Sequence, residues 1–295
     1  MKHTGNNGMA LILTLMVVTI ITAMVVEFAY GVYVSTNALH NWQTSQRLSL
    51  VAKSATQLGS SLLAEKTALL PYTYPGFFEM SQKAPSEELD GIINLRIEDE
   101  NSKFNVNALV YANGSDNEVA YAAFVRLLKA LNLPTDIADR IVDWIDPDSQ
   151  PRIKGSEDGA KNAPLDSIDE LALIPGIDRE AYERLLPYVT IYGNKLININ
   201  GAEVPVIMSL SDTIDRQMAE NLISYREIAP FEKIQDIFKV AGFETTAMPL
   251  MGYITVKGSS FRIIATASSG DVKRIIDSVV DISGNSRMVR FWKEI

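Results

Sequence analysis

The 295-residue sequence has no cysteine and only two histidines, His3 and His40. The first absence excludes disulfides, thiolate metal sites and thiol chemistry. The second leaves almost no material for histidine-based acid–base catalysis, since both histidines merely flank one apolar run. No P-loop, nucleophile elbow, HExxH or paired-histidine spacing occurs, so an enzyme is not expected. Positive charge is also short: 27 Lys and Arg stand against 36 Asp and Glu, a formal charge of −9. Phosphate backbones are poor partners for such a chain, whereas basic or metal-bearing ones suit it. An apolar share of 47% with 21% charged residues reads as globular, without a long disordered arm.

What is present begins with a short polar start, Met1 to Gly8, carrying Lys2. From Met9 to Val26 every residue is apolar or an uncharged threonine (Thr14, Thr19, Thr22). Those 18 residues at ~1.5 Å each span roughly 27 Å, enough to cross a hydrocarbon core. Glu27 falls near the interface, and after Lys2 the next basic residue is Arg47. The positive-inside bias leaves the amino end in the cytoplasm and the rest outside the inner membrane. Three readings fit this segment. A secretory signal would be cut near Ala29-Tyr30-Gly31. A plain signal anchor would stay whole. A prepilin-type leader would be cut between Gly8 and Met9, because a short polar stretch, a glycine and then an apolar helix follow one another. Leu48, Val51, Ala55, Leu58 and Leu62 then advance by three and four, predicting one amphipathic stripe on the same helix to about Lys66. Pro71, Pro75 and Gly76 end it.

Ile92 to Glu98 reads as a strand. Near the carboxyl end Tyr253 to Val256, Phe261 to Ala267, Val272 to Ile282 and Met288 to Trp292 read as a meander broken by Gly258, Gly270 and Gly284-Asn285. Between them the pattern is helical. Ser115 to Glu118 and Ser167 to Glu170 fit capping boxes, Ile137, Ile141 and Trp144 mark a helix, and Gly242 a helix stop. The region from about Ala108 to Gly242 is therefore expected to be wholly helical and threaded into the sheet.

Two pieces of it look like helix-hairpin-helix units: Leu171 to Ile177 with Ala181 and Leu185, and Asn198 to Ala202 running on through Ile223–Arg226 to Phe231 and Ile237. Such hairpins can grip phosphate, but their surroundings are acidic. Asp166, Asp169, Glu170, Asp178, Glu180 and Glu183 face only Arg179 and Arg184 around the first. A surface of that sign repels a duplex, so no nucleic acid is expected.

The Gly8 leader, Glu98 to Asn107, Asp143 to Asp148, Asn162 to Leu171 and the closing Phe291-Trp292, in that order, resemble the K-type minor pseudopilins of bacterial type II secretion (general secretion pathway protein K). The resemblance implies an α+β fold in which a pilin-like long N-terminal helix packs on an antiparallel sheet with a large all-α domain inserted. Its expected parts are a leader (1–8), the transmembrane half of the helix (9–30), a first pilin-like part (31–107), the inserted domain (108–245) and the terminal strands (246–295). It implies cleavage by prepilin peptidase and a place at the pseudopilus tip, where the chain primes assembly with I-, J- and H-type minor pseudopilins and meets secretin or secreted cargo. A competence-type DNA receptor and a type IV minor pilin are the alternatives. Ordinary pilins carry a glutamate at the position of Leu13, which pairs with a neighbour's amine; here no carboxylate occurs between Met9 and Val26.

Asp146, Asp148, Glu157 and Asp158 put four carboxylates in a turn-rich stretch, a donor type that suits calcium. Pro151 stands where an EF-hand would need glycine, so that motif is excluded. Members of the resembled family hold calcium in this domain, which makes these four the candidate ligands; solvated turn and cap residues are the plain alternative.

Overall fold

The computed structural model describes residues 6–74, 79–83, 91–284 and 286–295. Met1, Lys2, His3, Pro75, Gly76 and Asn285, invoked above, lie outside them. The elements in chain order are α1 (Asn6–Leu69), β1 (Glu79–Lys83), β2 (Ile92–Asp99), β3 (Phe104–Asn105), α2 (Glu118–Ala130), α3 (Ile137–Ile145), α4 (Arg179–Leu185), β4 (Val189–Thr190), β5 (Ile197–Asn198), α5 (Val204–Ser209), α6 (Arg216–Ile228), β6 (Ile254–Thr255), β7 (Ser260–Ser269), β8 (Val272–Ser283) and β9 (Ser286–Glu294).

Five strands pair antiparallel in the order β1-β2-β7-β8-β9. The membrane-distal part of α1 lies across this sheet, and the core between them holds Leu48, Ala52, Ala55, Leu63, Leu95, Phe261, Ile263, Ile276 and Val280. The buried helix stripe is thus Leu48, Ala52, Ala55 and Leu63, whereas Leu58, expected inside, is 51% exposed. The reason is close approach. A Cβ at Gly59 would meet Leu95 Cδ2 at 2.8 Å, so the helix turns its small residues toward the sheet and the sheet supplies the bulk. Polar pins fix the register: Arg274 donates to the Ser45 hydroxyl, and Glu294 accepts from Ser49 and pairs with Lys53 at 2.9 Å.

Strands β2 and β7 are neighbours, yet 160 residues separate Asp99 from Ser260. That stretch makes its own core, from Phe104 to Val256. It is not wholly helical as expected. Two short parallel ladders, β3 with β4 and β5 with β6, lie in it. Tyr253 to Val256, read as the first strand of the terminal meander, contributes β6 to the second ladder instead.

These ladders close two similar halves. Asn105-Val106-Asn107-Ala108 corresponds to Asn198-Ile199-Asn200-Gly201, and Ala163 to Ile177 corresponds residue by residue to Ala229 to Phe243. In each half the second asparagine clamps a backbone: Asn107 exchanges two hydrogen bonds with the Leu165 N–H and C=O, and Asn200 does the same with Phe231. Three residues later a 3-10 turn starts, Ile168–Leu173 or Ile234–Lys239, and each leads to a glycine at φ +91° or +93°, Gly176 or Gly242. The true partner of the Leu171–Ile177 hairpin is therefore Ile237–Phe243, not the Asn198–Ala202 turn. The Ser167/Glu170 capping box is present, but α2 is capped by Asn117, whose side chain accepts from Ala120 N–H, while the Ser115 hydroxyl donates to Asn113. Asn117 wins because Val110 bridges to Asp116, which ends the preceding turn too late for Ser115 to cap.

Sheet and second core meet at a buried polar knot. Asp99 accepts from Thr73 Oγ1 (2.9 Å), Asn198 Nδ2 (2.7 Å) and Asn101 N–H (2.9 Å), and Gly258 N–H donates to Thr73 Oγ1. No cation touches Asp99 in this set, and burial pushes its carboxyl up to about 6 against the pull of those donors.

Candidate functional site

Gly8, Met9 and Leu13 all lie on the exposed first turns of α1, with Leu13 57% exposed. An 18-residue window of this helix has mean hydropathy 2.7 with none of it packed against the protein, which is long and apolar enough to cross a membrane. Thr14, Thr19 and Thr22 donate their hydroxyls to the carbonyls of Leu11, Leu15 and Val18, so the segment's polar side chains are satisfied within the helix.

The other site lies in the loop after α3, which the second half of the repeat lacks: 19 residues link Ile145 to Leu165 where two link Ile228 to Phe231. Oxygens of Asp146, Asp148 and Glu157 lie within 4.8 Å of one another. Asp158 stands outside this group, exposed to solvent. Mutual repulsion has a visible consequence. Burial first, then Asp148, Glu157 and Asp143, pushes the Asp146 carboxyl up to about 6, and burial, Asp143 and Asp148 raise Glu157.

Sequence reasoning missed three contributors. Asp143 has a fully buried side chain; its Oδ2 accepts from Arg152 N–H (2.9 Å) and the Ser156 hydroxyl. Arg152 reaches back, with Nε 3.4 Å from Asp143 Oδ1 and Nη2 on Asp116. Asn162, at φ +52°, donates its N–H to Trp144 O and its amide to Asp148 O. Asp143 Oδ1, Asp146 Oδ1, Glu157 Oε1 and Asn162 Oδ1 are buried oxygens without a hydrogen-bond donor. Buried polar atoms rarely stay unpaired; Asp143 Oδ1 faces Arg152 Nε at 3.4 Å, and the other three oxygens, all in the loop, are donors of the type a hard cation takes. The spacing Asp143-x-x-Asp146 at a helix C-terminus was the available signal for Asp143; Arg152 and Asn162 are brought in by loop folding.

Both hairpin turns are covered by the chain's own side chains. Arg140 Nη1 donates to Pro175 O at 3.0 Å and its guanidinium covers Gly176. Gly242 N–H, the donor a phosphate would seek, is taken by Glu244 Oε2 at 2.9 Å.

Family models described as type II secretion system (T2SS), protein K match residues 102–194 and 197–257, the two halves of the repeat. Type II secretion system protein K of Pseudomonas aeruginosa is 27% identical over 300 aligned positions, covering 94% of this chain and 89% of that protein. The Pectobacterium carotovorum protein of the same name is 37% identical over 131, covering 37% of this chain and 39% of that one. The fold matches a chain in the crystal structure of the GspK-GspI-GspJ complex from enterotoxigenic Escherichia coli, with TM-score 0.68 and 19% identity, covering 88% of this chain and 99% of that one.

Proposed function

The chain belongs to the type II secretion system protein K family and is a minor pseudopilin, and from that premise we propose that it caps the tip of the pseudopilus after cleavage between Gly8 and Met9. The observation that carries this reading is Leu13, in a stem without any carboxylate from Met9 to Val26. A carboxylate in hydrocarbon costs on the order of 3 kcal/mol unless a partner satisfies it. In a stack, each subunit's stem carboxylate pairs with the free amine of the subunit above. A subunit at the leading end has no amine above it, so an apolar residue there is the stable choice.

On this reading the stem crosses the inner membrane once with its amino end in the cytoplasm, and the sheet and the mainly helical insert stand in the periplasm. Assembly with I- and J-type subunits is supported by the composition of the matched complex, whose own chains are of those types; an H-type neighbour, prepilin peptidase and secretin or cargo complete the expected partners. The insert acts as a binding head for proteins. A DNA-receptor role is disfavoured by the plugged hairpins and by 23 carboxylates against 13 basic side chains between residues 104 and 256. We assign the acidic loop to a structural calcium ion held by Asp146, Asp148 and Glu157. The ion would cancel repulsion that otherwise opposes folding of the loop.

Mass spectrometry of the membrane-extracted protein tests the processing step. A chain starting at Met9 supports the proposal, and one starting near Val32 would remove the fibre role.

A further inference from the structure

The calcium assignment leaves Asp143 unexplained. It is completely buried, it is absent from the three-carboxylate group, and its charge is nevertheless felt by both Asp146 and Glu157. One cation approaches it. Arg152 uses its backbone N–H on Oδ2 (2.9 Å) and its Nε near Oδ1 (3.4 Å), then ties Nη2 to Asp116 just before α2. The Arg152 side chain is 30% exposed and that of Asp143 is fully buried, so the contact between these two is less screened by water than the one with Asp116, which is 47% exposed. Desolvation opposes its charge, and Asp116, Asp143 and Asp146 together hold it on.

We infer that Arg152 is a built-in counter-ion: it neutralises Asp143, withdraws it from the ligand set, and so limits the acidic loop to a single divalent cation on Asp146, Asp148 and Glu157. The inference rests on the calcium reading above for its ion count, but not for the pairing itself. Five carboxylates gather around the loop: Asp116 before α2 and Asp143 in α3, both held by Arg152, and Asp146, Asp148 and Glu157 in the loop itself. Without an internal cation, Asp143 and Asp146, on consecutive turns at the end of α3, would offer oxygens to a second ion or to the first. With Arg152 in place, Asp143 instead anchors the loop start through Ser156 and Arg152, which shapes the site before any ion arrives. Removing the guanidinium raises the negative charge facing the ion by one, and affinity in such oxygen sites follows ligand charge.

The test uses the detergent-solubilised full chain, stripped with chelator, in calcium titrations by calorimetry and in thermal melts. Wild type should bind one calcium ion. Arg152→Gln should bind about tenfold more tightly, or take up a second ion. In chelator Arg152→Gln should melt lower, because Asp143 loses its partner, and Asp143→Asn/Arg152→Gln should recover much of that loss. Unchanged affinity and stoichiometry in Arg152→Gln would overturn the one-ion limit. A double variant that melts no higher than Arg152→Gln would overturn the pairing. No calcium heat from either protein would refute the metal reading and the ion count with it, while the melts still decide whether Arg152 serves Asp143.

Discussion

The repeated asparagine clamps provide an internal control for the energetics of the second core. Asn200 is fully buried; its Oδ1 accepts Phe231 N–H at 2.8 Å and its Nδ2 donates to Phe231 O at 2.9 Å and Val256 O at 3.3 Å. Asn200→Ala leaves the Phe231 N–H and C=O, on a residue with no exposure, without these partners. Val256 O keeps its bond from Thr73 N–H, so only two groups are orphaned. At about 1–3 kcal/mol per buried unsatisfied group the loss is about 2–6 kcal/mol, a large share of an ordinary domain's stability. Asn107 makes the matching pair of bonds to Leu165 but is only partly buried, so water can replace its side chain. Asn107→Ala should lose about 1–2 kcal/mol. Urea denaturation of the full chain in detergent, followed by tryptophan fluorescence and circular dichroism, measures both. Equal losses, or an Asn200→Ala loss under 1 kcal/mol, would refute the argument that burial of the clamp decides its worth.

Other consequences can be checked on the same preparations. Gly258→Ala would set a Cβ 2.2 Å from Asp99 Oδ2, and should lower stability by about 1–3 kcal/mol, read as a drop in melting temperature. Asp99 has a folded-state value near 6, above its ordinary 3.8, so the folded chain binds its proton more tightly than the unfolded one. Stability relative to Asp99→Asn should therefore fall as pH rises from about 4 to 6, by at most about 3 kcal/mol, and level off above; a flat difference across that window would contradict it. Leu13→Glu should reduce fibre formation in a secretion assay without lowering membrane insertion, and normal secretion would count against the tip argument.

Much of this was legible in the residues. The eighteen uncharged positions after Gly8 form a helix long and apolar enough to cross a membrane, and the alternating runs after Ser260 pair as the expected hairpins, so helix and sheet follow largely from period. The facing stripe on α1 was read correctly at Leu48 and Ala55 but not at Leu58, where contact with the sheet instead demanded Ala52 and Gly59; packing partners distant in sequence decide such a choice. The β3–β4 and β5–β6 ladders are two residues long and hidden by their helical surroundings. Asp146, Asp148 and Glu157 were recoverable from the acidic run itself and Asp143 from its spacing to Asp146, but Arg152 was not, because its pairing depends on the loop turning back on α3.

The most direct measurement is the position of the chain on isolated pseudopili. The sequence has no cysteine and Ile228 is 89% exposed, so Ile228→Cys gives a single labelling site for maleimide-gold. The account predicts one gold particle at one end of each fibre in electron micrographs. Particles spread along the shaft would contradict it.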